Sequence, residues 1–214
     1  MVMKYKEITS QSVLEPETFQ EAQERDMIIG TGEGRDGTMY LVTRHTFTGV
    51  QMSGMDVPHA IYGLHEIISL GDRKVRPDDR LSYAGGIDFI LDARLKDANL
   101  AYAGLQVKYR GQGLGLLIYK AAINDLVDLG YTVQSDYIRT PEAERVWRSI
   151  VRDNPESVDV IIRRARDDPA LERALERDEF RGTQYRVNPT YYSVYRPVGR
   201  RPVRVRGHRR TFKY

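Results

Sequence analysis

Between Leu114 and Leu129 the apolar residues Leu114, Leu117, Ile118, Ala121, Ala122, Leu126 and Leu129 recur at the spacing of one helix face. Lys120, Asn124, Asp125 and Asp128 fall mostly outside that face, so the pattern predicts an amphipathic helix. Gly130 stands where a helix C′ residue belongs. β-formers precede it at Ile87–Leu91 and Leu100–Val107 and follow it at Tyr131–Ser135, and each run reads as a strand. Thr140 before Pro141 is an N-cap and N1 pair, opening a second helix through about Arg152. A strand at Val158–Arg163 and a helix at Pro169–Arg177 continue the alternation. Upstream, Pro16–Arg25 reads as a short helix, Gly30–Gly37 (GTGEGRDG) as a loop and Met39–Phe47 as β-rich. His59–Leu70 is long enough for either strand or helix, and Arg73–Arg80 reads as a loop. The order is α/β or α+β, with no internal repeat.

Composition adds an asymmetry. Of the 33 basic residues among 214, eight lie between Arg196 and Tyr214, where there is no acidic residue, leaving 25 against 30 acidic ones elsewhere. A basic arm, Arg196–Tyr214, thus follows a mildly acidic body over 1–195. The lack of cysteine excludes disulfides, thiolate metal sites and a cysteine nucleophile. His45, His59, His65 and His208 are scattered without ligand spacing, so no metal is expected. No apolar run approaches the roughly 20 residues of a membrane span, and MVMKYKEITS lacks the apolar region of a signal peptide, so a cytoplasmic protein is expected.

The chemistry concentrates in Leu105–Ile123, LQVKYRGQGLGLLIYKAAI. Glycines 111, 113 and 115 stand behind Arg110 at the predicted start of a helix. Glycine admits close approach of a ligand to backbone, and a helix N-terminus offers unpaired N–H groups and positive potential. With the charge of Arg110, the turn Arg110-Gly111-Gln112-Gly113-Leu114-Gly115 is suited to cradle a pyrophosphate. It has no Gly-Lys-Ser/Thr ending, which a P-loop needs. Leu116 stands where GxGxxG needs its third glycine.

What remains, Arg-x-x-Gly-x-Gly on Arg110, Gly113 and Gly115, resembles the acetyl-CoA motif of the GNAT N-acetyltransferases, and the order strand, turn, long helix, strand, helix resembles theirs over Ile87–Arg152. The resemblance implies an α/β fold with a mixed sheet. A V-shaped splay between central strands admits the pantetheine arm, and helices flank the sheet. An N-terminal extension and the basic arm are added here. It implies acetyl-CoA as co-substrate, held by Leu105, Gln106, Val107, Arg110, Gly111, Gln112, Gly113, Leu114 and Gly115. The backbone N–H of Leu105 would polarise the thioester, Val107 stands where many members have proline, and Gln106 would face the other side of the strand. The implied reaction is direct attack of an amine on the thioester, with a carboxylate or water taking the ammonium proton. Glu66, Asp88 and Asp92 are the candidates. The acceptor stays open: a small amine, an amino sugar, a protein amine or an aminoacyl-tRNA.

The sequence departs from the family where a tyrosine on the second helix often protonates the leaving thiolate. Trp147 takes that place, and Thr140 that of an asparagine seven positions earlier. An indole donates a hydrogen bond but does not titrate. Tyr137 lies nearby in the connecting segment. The second reading is therefore a non-catalytic protein on the same fold, acting in nucleic-acid binding or assembly. Small GNAT-like proteins with unusual extensions also occur in bacteriophage genomes, some in virions. The arm could meet nucleic acid through its phosphates, with Tyr185, Tyr191, Tyr192 and Tyr195 stacking on bases, or Val203–Arg206 could add a strand to a protein neighbour.

Overall fold

The structure is a computed structural model, described over residues 15–50, 56–69, 75–136, 139–155, 158–162 and 183–187. The expected helix Pro169–Arg177, the N-terminal extension up to Leu14, Tyr137, Tyr191, Tyr192, Tyr195 and the arm Arg196–Tyr214 lie outside these residues. Helix α1 (Phe19–Glu24) leads into β1 (Ile28–Glu33), β2 (Met39–Val50), β3 (Asp56–Ile68), β4 (Arg80–Asp92) and β5 (Asp97–Leu105). A 3-10 turn (Val107–Tyr109), α2 (Leu114–Asp128), β6 (Thr132–Gln134), α3 (Pro141–Asp153), β7 (Val158–Ile162) and β8 (Thr183–Val187) follow. The strands form one open mixed sheet in the order β1-β2-β3-β4-β5-β6-β8-β7, so the protein is α/β. Only β5 and β6 pair in parallel, as the crossover through α2 requires.

His59–Leu70, ambiguous in sequence, is strand: β3 pairs with β2 over eleven rows and with β4 on its other side. Alternation sends Ala60, Tyr62 and Leu64 toward α2, with Tyr40, Val42, Ile87 and Phe89 beside them, all nearly fully buried. Asp125 of α2 fastens the helix to this face. Its carboxylate accepts from Arg44 at 2.9 and 3.0 Å and from the Tyr62 hydroxyl at 2.8 Å. Burial, followed by the adjacent carboxylate, drives the Tyr62 phenol far above its ordinary range. On the opposite face, α1 packs Ala22 against Leu41 and Ile67 at one end of the sheet.

Three strand expectations change. The Gly30–Gly37 cluster, expected as a loop, is strand as far as Glu33, where β1 pairs with β2, and only 34–37 form the turn. β5 ends at Leu105, and Gln106 and Val107 leave it. Gln106 therefore has no alternate strand face. Its N–H donates to the Ala84 carbonyl at 2.9 Å, and its own carbonyl starts the 3-10 turn by accepting from Tyr109 N–H. Thr183–Val187, with no strand expectation in sequence, inserts as β8 between β6 and β7.

His65 is 2% exposed on the face opposite α2, where its Nε2 meets the Thr43 hydroxyl at 3.0 Å. Burial lowers its pKa from 6.5 to about 4. The unfolded chain takes up this proton first, so the histidine's contribution is complete above about pH 6.5. It is lost progressively as the pH falls to 4. The loss is about 2 kcal/mol at pH 5, by linkage. Unfolding free energies from urea titrations at pH 7 and pH 5 should differ by that amount more in the native protein than in His65→Gln, whose side chain does not titrate.

Candidate functional site

Three features of the chain fix the turn after β5. Tyr109, 3% exposed, anchors it from behind. Its hydroxyl donates to Glu66 on β3 at 2.7 Å and lies 3.3 Å from Ser82 on β4, while its ring meets Tyr40 edge-on. Gln112 braces the turn internally, donating to the Lys108 carbonyl and accepting from the Tyr40 hydroxyl. Gly111 and Gly113 adopt φ of 80° and 82°, the left-handed region that side chains resist. The N-cap of α2 is therefore Gly113, with no side chain to cap the helix and no acidic residue in its first turn.

Gly115 is different. It is helical, and a Cβ there would meet Val146 of α3 at 3.6 Å, an ordinary contact. Neither φ nor packing requires glycine at this place. Its missing side chain leaves room over the helix start, where backbone N–H groups and the helix dipole favour an anion.

The cations are arranged otherwise than the sequence suggested. Arg110 turns back, its Nε donating to the Leu105 carbonyl at 3.0 Å. Arg35, from the Gly30–Gly37 cluster that reads as a plain loop, lies at the helix start instead. Its Nε is 3.5 Å from the position of a Cβ on Gly113. β1 packs on α2 just before it: a Cβ at Gly32 would stand 2.6 Å from Leu117 Cδ1. Arg35 was legible as a basic residue in a turn, but its neighbour 78 positions away was not.

Beside the turn the sheet opens. β5 and β6 pair over three rows, ending at Asn99↔Gln134, and Ser135 then bonds to Tyr185 of β8. Leu100–Leu105 has no strand on that flank among the described residues. The Leu105↔Gly85 row is bracketed by the Gln106 N–H bond to Ala84, which makes it a non-hydrogen-bonded pair. The N–H and C=O of Leu105 therefore point away from β4, into the open flank. Val107, 77% exposed, lies at its end.

The remaining candidates separate. Glu66 accepts the Tyr109 phenol, a bond that anchors the turn. Asp92 caps the β4–β5 turn, accepting from the N–H groups of Arg94 and Leu95 at 2.9 Å each. Asp88 faces the side opposite α2 and meets Nδ1 of His59 at 3.0 and 3.1 Å. Burial raises its pKa, against the pull of His59. Thr140 spends its hydroxyl on the N-cap of α3, accepting from Ala143 N–H. Trp147 is fully buried, stacked on Tyr185 at 5.7 Å and edge-on to Tyr119, and its Nε1 makes no hydrogen bond of full geometry. Tyr185, expected to stack on bases, is 5% exposed and is instead committed to Trp147, with its hydroxyl on Glu144.

No family model matches the chain, and no curated protein matches it in sequence. Among the described residues no helix is long and apolar enough to cross a membrane, and no group of three or more potential ligands could hold a metal ion.

Proposed function

We propose that the chain is an acetyl-CoA-dependent N-acetyltransferase of the GNAT type, holding the pyrophosphate on the turn Arg110–Gly115 and passing the acetyl group to a primary amine. The observation that carries this reading is the start of α2: an uncapped helix N-terminus, opened by a left-handed Gly113 and kept clear by a Gly115 that packing does not need. The outward amide of Leu105 supports the second half. It is a donor aimed where the thioester carbonyl gathers negative charge during attack. The CoA thiol is a fair leaving group, and water can protonate its thiolate. The buried Trp147 indole is given no part in that step.

Calorimetry with acetyl-CoA tests the cofactor site, and thiol release with a panel of amines tests the reaction. Binding with release in the presence of one amine class supports the proposal. Binding without release from any amine favours the second reading, a non-catalytic protein on this fold, which the lack of a titratable group at Trp147 motivates. No binding removes both.

Arg35 sharpens the test. Arg35→Ala should weaken CoA about 3–10-fold, more at low salt, as expected for one exposed cation beside a phosphate. Binding of pantetheine, which has no phosphate, should be unchanged; titration of both ligands at two salt concentrations reads the difference.

A further inference from the structure

On the face of the sheet opposite α2, three glycines stand in one register row: Gly63 of β3, Gly86 of β4 and Gly104 of β5. Their neighbours Tyr62 and Ile87 point toward α2, so alternation puts the row on the other face. Polar side-chain ends lie along it. His65 Nε2 and the Thr43 hydroxyl are 2.6 and 2.9 Å from where a Cβ on Gly63 would be. The Tyr83 hydroxyl stands 2.6 Å from that position on Gly86, and the Tyr102 hydroxyl lies as closely over Gly104. One end of the row is a cavity, with Glu15, Met27, Ile61, Gly63, His65 and Tyr83 in its wall. The other end is Leu105, next after Gly104, whose amide faces the open flank. Tyr83 joins the two. Its ring meets His65 edge-on at 5.6 Å in the cavity wall, and its hydroxyl covers Gly86, the ladder partner of Gly104. Burial, then Glu15 and Tyr102, push its phenol up to about 12, which puts both groups beside it.

We infer that the cavity receives the far end of the amine substrate, and that this substrate is a linear alkyl diamine. One ammonium meets Glu15, the chain lies along the glycine row, and the other nitrogen reaches the end of β5. This rests on the acetyltransferase reading. The wall selects the ligand: Met27, Ile61 and the Tyr83 ring suit methylenes, and Glu15 supplies a negative charge. Burial raises the Glu15 carboxyl above its ordinary pKa, and a cation beside it relieves that cost. His65, kept neutral by burial, does not compete for that charge. A tyrosine face also attracts an ammonium. The sheet sets the length. Neighbouring strands lie about 4.8 Å apart, so Gly63 and Gly104, with β4 between them, are about 10 Å apart. An extended eight-carbon diamine covers that span, and a four-carbon one does not. The side of approach agrees, because the pyrophosphate turn opens α2 on the opposite face.

Initial rates with acetyl-CoA and amines matched in length test this. The native protein should use 1,8-diaminooctane with a kcat/KM about tenfold or more above that of octylamine, expressed in KM, as a charge-assisted contact remote from the reacting nitrogen requires. Diaminobutane should show no such advantage over butylamine. Glu15→Gln should make the two eight-carbon amines equivalent, while octylamine turnover and acetyl-CoA affinity stay within a few-fold of native. Glu15→Lys should reverse the choice, favouring 8-aminooctanoate, whose far end is a carboxylate, over the diamine. Lost packing at Glu15 would not produce that reversal. Equal use of octylamine and the diamine by the native protein, or a preference that survives Glu15→Gln, would overturn the assignment of the cavity while leaving the acetyltransferase reading intact. Acetylation of other amines but none of these would do the same. A native protein that binds acetyl-CoA yet acetylates no amine would overturn both.

Discussion

Gly113→Val should abolish CoA binding, lowering affinity by at least 100-fold, while the protein stays folded. Two effects combine. At φ of 82° a β-branched residue is a backbone outlier, so the turn must leave the conformation that aims its N–H groups. The new methyl groups would also occupy the space before the helix start, where Arg35 is the nearest neighbour. The protein itself supplies the control. Gly130 closes the other end of the same helix at φ of 83°, and a Cβ there meets nothing within 4 Å. Gly130→Val therefore carries matched backbone strain, of roughly 1–2 kcal/mol, without touching the turn. Both variants should lose similar stability in urea titrations, and only Gly113→Val should lose CoA in calorimetry. Equal CoA affinity in the two would remove the basis of the cofactor assignment.

The largest stability effect is expected at Trp147. Its ring is fully buried between Tyr119 of α2 and Tyr185 of β8, so it joins α3 to the helix before it and to the strand that completes the sheet. Trp147→Ala should cost about 3–5 kcal/mol, the range for emptying a large aromatic site. Trp147→Phe should cost about 1–3 kcal/mol. The indole N–H makes no hydrogen bond of full geometry, so the phenylalanine variant forfeits chiefly area and contacts. Turnover should stay within a few-fold of native in Trp147→Phe. Trp147 is also the chain's single tryptophan, so native unfolding is read directly from its fluorescence, and the variants from circular dichroism. A tenfold fall in turnover at unchanged stability would instead give the indole a place in the reaction.

The phenol of Tyr119 adds to this picture. It is 4% exposed, and burial pushes its pKa well up. It adjoins the Trp147 indole, whose N–H draws the pKa back down against that burial.

Local chemistry determined part of this protein from sequence alone. The span of α2, its stop at Gly130, the Thr140 cap with Pro141 and the turn behind Arg110 were all legible. Each depends on residues within a few positions of one another: an apolar stripe, a cap, a left-handed glycine. Segment His59–Leu70 was not legible, because an apolar run of that length satisfies helix and strand alike until its partners on both sides are known. Pairing also decided what the polar residues do. Glu66 went to Tyr109, Asp88 to His59 and Tyr185 to Trp147, over separations of 43, 29 and 38 positions. Arg35 reached Gly113 through the packing of β1 on α2, where Gly32 adjoins Leu117. A sheet brings distant residues together by register, and register is set by the sum of burial across many rows rather than by any short stretch of chain.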